Sequence, residues 1–296
     1  AGADAAHGYR AFRTEAARIY EILEHGMLRA NKVSWPLPLM RRIGLARIGD
    51  LLAIRPYESL WKVMGEHFAD PRLRQLFARY STYCGSSPFD TPATLMLIAH
   101  VEVQGVWLID GGMSALAEGL RRVAEEHGAR FRTGTAVVDI ELDQGKACGV
   151  SLGSGEIVPA HAVVANCDPS ALASGRLGQR ATRAVAPIKP RKRSLSAMVW
   201  LAHARSDGFP LSRHNVFFSS DYRHEFSDIR RGAVPDSPSV YVCALDREAD
   251  SGGAPNGRER LRIIVNAPAN GDAFAYTAQE KERCTEAMRR TLERCN

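Results

Sequence analysis

Two places in the chain put groups capable of proton transfer close together: His100 with Glu102, and Asp168 just after Asn166. A histidine beside a carboxylate suggests a relay, but residues two apart on a helix do not face each other, so the first pair reads as structural. Asp168 could act as a base; ahead of Pro169 and Ser170 it is better suited to a turn or helix N-cap. The nine histidines show no H-x-x-x-H or H-E-x-x-H spacing, and no metal site is expected. The six cysteines (Cys84, Cys148, Cys167, Cys243, Cys284 and Cys295) include no C-x-x-C pair, which suits reduced thiols in a cytoplasmic protein. Spacing therefore identifies no catalytic residue.

The elements around which the rest of the chain is organised lie between Val106 and Pro169. Val106 to Ile109 is an apolar run that stops at Gly111 and Gly112. Met113, Leu116, Leu120 and Val123 follow at the spacing of one helix face, and Gly128 supplies a C-terminal stop. Phe131 starts a strand in which Ala136, Val138, Ile140 and Leu142 alternate with Val137, Asp139 and Glu141. Gly145 turns the chain, Ala147 to Leu152 returns, and Gly153-Ser154-Gly155 turns it again. The small apolar strand Ala162 to Ala165 then ends in Asn166, Cys167, Asp168 and Pro169. Strand, helix and meander make an α/β unit whose strand ends form a ligand-facing edge, or else a plain structural layer of the same pattern. A G-x-G-x-x-G turn with an acidic residue about 20 positions on is absent; Gly153-x-Gly155 lacks the third glycine and sits in a hairpin.

The residue types decide between those readings. GGM-x-x-L-x-x-x-L, A-V-V-D-I, G-V and V-V-A-N-x-D-P in succession resemble the phytoene desaturase-like branch of the FAD-dependent amine oxidase superfamily. Tyr80, Tyr83, Gly85, Pro88, Pro92, Ala93, His100, Glu102 and Gly105 look like that family's approach to the glycine pair. Within the branch the chain is most similar to bacterial desaturases of hydroxylated or methoxylated neurosporene-type carotenoids. The resemblance implies that Val137 lies on the adenine side of FAD through backbone groups, that Ala165 and Asn166 approach the pyrophosphate, and that Gly111, Gly112 and Met113 face the substrate. It also implies that the isoalloxazine ring carries the chemistry, in keeping with the lack of a nucleophile–base pattern. Because the dinucleotide-binding turn and the family's closing G-D-rich segment are missing, the sequence reads as the central part of a longer enzyme. Alone, it is expected to be inactive and to hold no FAD tightly.

The remaining chain fits around that unit. Tyr9, Phe12, Ala16, Ile19 and Leu23 mark one helix face, and helices are expected over Glu58 to Phe68, Leu73 to Tyr80 and from Thr91 to about Val103. Val33 to Arg55 mixes Trp35, Leu37, Leu39, Met40 and Ile43 with Arg41, Arg42 and Arg47, which suits a basic amphipathic segment at a membrane surface or a core helix with exposed arginines. Pro187 to Arg193 is a basic linker. Ser194 to Leu201, Asn215 to Ser219, Ser239 to Leu245 and Leu261 to Asn266 read as strands of an antiparallel sheet, and Thr277 with Glu280 forms a capping box before a terminal helix. The expected class is α+β (α/β). Residues 1–105 form a helical substrate or membrane-facing region, 106–169 contribute to an FAD-binding domain, and 170–296 form an antiparallel-sheet substrate domain.

Length and charge are consistent with this. The 296 residues can bury a sizeable core, and 45% hydrophobic with 24% charged residues is ordinary for a globular protein. No apolar run approaches the roughly 20 residues a membrane span needs. A net charge of +6 suits either an anionic partner or a solvated arginine-rich surface, and no nucleic-acid motif accompanies it. The expected partner is an apolar polyene, oxidised at a CH–CH bond with hydride passing to flavin by a cytoplasmic protein peripheral to the membrane. A porphyrinogen or retinoid oxidoreductase and a non-catalytic membrane-binding module remain as alternatives.

Overall fold

The computed structural model describes residues 2–29, 48–189, 192–247, 257–271 and 276–295. In chain order the α-helices are α1 (Ala3–Leu23), α2 (Ile48–Ala53), α3 (Leu60–His67), α4 (Pro71–Ala78), α5 (Ile98–Val103), α6 (Gly112–Glu126), α7 (Pro169–Ala173), α8 (Tyr222–Arg230) and α9 (Ala278–Glu293). The strands are β1 (Val137–Asp143), β2 (Lys146–Leu152), β3 (Ile157–Pro159), β4 (Ser196–Ala204), β5 (His214–Phe217), β6 (Val240–Ala244) and β7 (Glu259–Ala267). Two compact units result, one from Ala1–Val106 with Ser194–Asn296 and the other from Trp107–Arg193.

In the first unit, α1 buries Phe12, Ala16, Ile19 and Leu23, one stripe at helical spacing, against Leu60, Val63, Met64, Phe68 and Met96. Full burial of each of the larger side chains is worth about 1.5–3 kcal/mol. Asp70 starts α4: its carboxylate accepts from Arg72 N–H at 2.9 Å and Pro71 occupies the helix's first turn. Gly85, at φ 58°, lets the chain close on β4: Leu195 N–H donates to Gly85 O at 2.6 Å, and a Cβ there would lie 2.7 Å from Ser194 Cβ. The antiparallel sheet runs in the order β4-β7-β6-β5. One of its faces is covered by α9, where Cys284 and Met288 meet Val240, Val242, Ile263 and Val265. The capping box at Thr277 and Glu280 forms as expected.

The polar sequence of α8 hides a helix that sequence periodicity did not suggest. Tyr222, Phe226 and Ile229 fall at i, i+4 and i+7 among charged neighbours and pack on Trp61 and Phe89, with Asp221 as the cap. Of the stretch 33–55, residues 33–47, including Trp35, Leu37, Leu39, Met40, Arg41, Arg42, Ile43 and Arg47, lie outside the described residues. Arg55 closes it with ion pairs to Glu15 at 2.7 Å, Glu66 at 2.7 Å and Glu58 at 3.2 Å.

In the second unit β1, β2 and β3 form an antiparallel meander, with Ile140 and Leu152 buried. Two expected strands do not form, and a third begins later than expected, at Val137. Val106 to Ile109, the start at Phe131, and Ala162 to Ala165 have no strand assignment. A strand exists through its ladder, and no described residue offers these segments one. The helix α6 does form, but its apolar stripe is uncovered among the described residues: Met113 is 71% exposed and Leu120 64%.

Candidate cofactor- and substrate-facing site

Gly111 and Gly112 both have positive φ, 79° and 75°, as they turn the chain from Ile109 into α6. Gly112 N–H donates to Ile109 O at 2.8 Å, closing that turn. A Cβ on Gly111 would lie 3.0 Å from Ala115 Cβ, whereas one on Gly112 would meet nothing within 4 Å. Side chains are thus excluded at Gly111 by conformation and by contact, and at Gly112 by conformation alone. Met113 follows on the helix's exposed face. Beside this turn a shallow groove of about 570 Å³ runs along Ile109, Leu116, Gly119, Leu120 and Val123.

Val137 opens β1, opposite Leu152. Because β1 is an edge strand of the meander, its outer backbone groups are free of the ladder, and one of them, Ile140 N–H, donates to Leu177 O at 3.1 Å. Ala165 lines an open cavity of about 920 Å³ with Ile140, Leu142, Val163, Leu172 and Arg180. Asn166 is exposed in the loop that follows. Val137 and Asn166 are not among the residues lining that cavity. At its border Glu141 accepts from Ser151 Oγ at 2.5 Å and pairs with Arg180 at 3.0 Å. The serine hydroxyl first, and the guanidinium after it, hold this carboxyl below the usual range.

These residues offer a bound group edge-strand backbone, small side chains and a glycine turn at a helix start. A dinucleotide whose phosphates approach main chain fits that donor set, and nothing here resembles a metal site: the described residues contain no cluster of three potential ligands. Asp168 caps α7, accepting from Ser170 N–H at 2.7 Å, which is the turn role its place before Pro169 suggested. Glu102 takes the hydroxyls of Tyr80 at 2.5 Å and Tyr83 at 3.1 Å, while the His100 ring lies 4.9 Å from that of Tyr20. The two residues have separate partners and form no relay.

In the first unit a group of side chains with hydrogen-bonding chemistry escaped sequence reasoning. His214 Nδ1 and Tyr241 Oη lie 2.7 Å apart on neighbouring strands, beside Cys243 and Arg262. The alternation of β6 was legible, but the pairing of residues 27 apart is a matter of sheet register.

The model of the flavin containing amine oxidoreductase family matches residues 54–289, and the chain belongs to that family. Among relatives it is 42% identical to a hydroxyneurosporene desaturase of Rubrivivax gelatinosus, over 99% of this chain and 56% of that protein. To the hydroxyneurosporene desaturase of Cereibacter sphaeroides it is 41% identical, over 90% of this chain and 53% of the other. A zeta-carotene-forming phytoene desaturase of Myxococcus xanthus is 36% identical over 76% of this chain and 43% of its own. The chain thus spans about half the length of the curated relatives it matches. No described helix is long and apolar enough to cross a membrane.

Proposed function

We propose that the chain supplies the central part of an FAD-dependent carotenoid desaturase. The observation that carries this reading is the 42% identity to a hydroxyneurosporene desaturase across 99% of the chain. Desaturation of an acyclic carotenoid breaks two C–H bonds on adjacent carbons and forms one C=C bond. One hydrogen departs as hydride and the other as a proton. The flavin, when bound, supplies the two-electron acceptor.

The chain's own residues bind and orient. Backbone at Val137 meets the adenine end of FAD, and Ala165 and Asn166 let main chain approach the pyrophosphate. The Gly111-Gly112 turn with Met113 borders the substrate. An apolar polyene partitions into a bilayer, so the enzyme works as a cytoplasmic protein peripheral to the membrane.

The test uses the full-length protein, purified with its flavin and incubated with hydroxyneurosporene in detergent or liposomes under anaerobic and aerobic conditions. The expected product has two hydrogens fewer and an absorption maximum shifted to longer wavelength. Residues 1–296 alone are expected to purify colourless. A flavin-loaded full-length protein that leaves carotenoids untouched overturns the reading, and a stoichiometrically yellow 1–296 chain overturns the division of the cofactor site.

A further inference from the structure

Several arginines on and around α4 and α8 are paired: Arg72 with Asp70 at 2.7 Å, Arg230 with Asp90, and Arg231 with Asp228. Asp221, the remaining acid beside α8, caps that helix by accepting from His224 N–H at 2.9 Å. Arg74 on α4 and Arg223 on α8 depart from this pattern. Among the described residues no carboxylate lies within ion-pair distance of either, and the nearby acids named above are committed elsewhere.

Both guanidiniums are nevertheless held in place. Arg74 lies across α3, its Cζ 4.3 Å from the Trp61 ring centroid, and its Nε–H donates to Trp61 O at 2.9 Å. One turn further along α3, Gly65 makes room for it: a Cβ there would stand 2.9 Å from Arg74 Cζ. Arg223 Cζ sits 4.2 Å from the centroid of the Phe89 ring, and the Phe89 and Trp61 rings are in contact at 4.9 Å. Two cations thus rest on adjoining aromatic rings. Burial first, and then the charge of Arg223, lower the pKa of Arg74, whereas the hydrogen bond and charge of Asp70 raise that of Arg72.

Two like charges fixed near each other repel, and an anion between them removes the repulsion. Arg74 spends only Nε on the protein, which leaves its two Nη groups as donors. A planar carboxylate has two oxygens and is filled by one guanidinium fork. A tetrahedral phosphate presents oxygens in more than one plane and can accept from two forks at once. We propose that Arg74 and Arg223 form a binding site for a phosphate group, with Trp61, Gly65 and Phe89 fixing the two guanidiniums. The recognising chemistry is the same for a lipid headgroup and for free phosphate. Phosphate binding here does not depend on the reaction the protein catalyses.

The experiment uses the full-length protein with flavin loaded, so that the cofactor's own phosphate partners are occupied. Wild type is compared with Arg74→Gln, Arg223→Gln, Gly65→Ala and Arg10→Gln, the last removing an exposed arginine of α1. Inorganic phosphate is titrated at constant ionic strength, and its phosphorus-31 linewidth gives Kd. Arg74→Gln and Arg223→Gln are each expected to raise Kd about tenfold, the scale of a lost charge-assisted hydrogen bond. Arg10→Gln, with the same loss of charge, stays within about twofold. Gly65→Ala alters no charge and favours the helix, yet its Cβ displaces the Arg74 guanidinium, so Kd rises at least about threefold.

Co-sedimentation with phosphatidylcholine vesicles, with and without phosphatidylglycerol, separates the two sources. Pelleting with the anionic vesicles that falls in both arginine variants and on adding inorganic phosphate assigns the site to a lipid headgroup. Pelleting indifferent to both, with phosphate affinity lost in the variants, assigns it to free phosphate. A wild type that binds no phosphate overturns the site, as does a Kd that survives both arginine substitutions or rises equally in Arg10→Gln. An unaltered Kd in Gly65→Ala overturns the placement of Arg74.

Discussion

At the scale of single residues, the most consequential polar contact in the sheet-bearing unit is Arg247 with Glu259. Their side chains are 4% and 2% exposed, and two guanidinium nitrogens meet the two carboxylate oxygens at 2.8 and 2.7 Å. Arg247 also donates to Leu211 O and to Ser206 Oγ, so the charges are hydrogen-bonded as well as paired. Removing one partner strands the other in a poorly solvated place. Arg247→Ala is therefore expected to lower unfolding stability by about 3–5 kcal/mol in urea titrations. An exposed pair such as Arg121 with Glu118, screened by solvent, should cost far less when broken. Equal losses for the two substitutions would show that burial does not set the difference.

Among the elements, α9 shows how local chemistry and packing combine. Thr277 Oγ1 accepts from Glu280 N–H at 3.2 Å, and the Glu280 carboxylate accepts from Thr277 N–H at 2.8 Å. The start of the helix is fixed by these reciprocal bonds, and its inner face by Cys284, Ala287, Met288 and Thr291. Thr277→Ala is expected to cost about 1 kcal/mol and to speed amide exchange in the first turn, with little change near Met288. Uniform acceleration along α9 would place the effect in packing instead. By contrast α6 has the stronger sequence signal yet buries no residue, because amphipathic periodicity states which face is apolar and not what covers it.

For the whole molecule, the chain leaves one unit at Val106 and re-enters it at Ser194, so the antiparallel sheet and the N-terminal helices share a unit although the meander separates them in sequence. Long-range polar contacts join these parts, including Gln75 Nε2–H to Ser219 O at 3.1 Å and the ion pair of Arg230 with Asp90. Within the helical part Glu15 links α1 to His67 at 2.8 Å and to Arg55 at 2.7 Å. The His67 hydrogen bond, the largest cause, and the Arg55 charge depress the Glu15 pKa against the opposing effect of burial. A carboxyl lowered in the folded state contributes stability above its unfolded pKa of about 4.3 and loses it as pH falls through the lower folded value. Acid melting should therefore begin below about pH 4.3, and Glu15→Gln should flatten that limb while lowering the neutral-pH melting temperature. Identical acid limbs in the two proteins would remove Glu15 from the account.

The sequence by itself determined the features that depend on near neighbours. The α1 stripe, the turn at Asp70-Pro71, the capping box, the glycine pair and the alternation of β6 and β7 all follow from spacing within one or two turns or a few strand residues. Family-specific residue types between Phe77 and Pro169 likewise carried the assignment to a flavin-dependent family. Tertiary structure alone decided which apolar faces were covered, that two expected strands lacked a ladder, and that Tyr222, Phe226 and Ile229 made a helix worth burying. It also brought His214 to Tyr241 and Arg247 to Glu259. Those pairings depend on sheet register and chain reversal, which sum many weak contacts over long sequence separations, so no local pattern of residues can encode them singly.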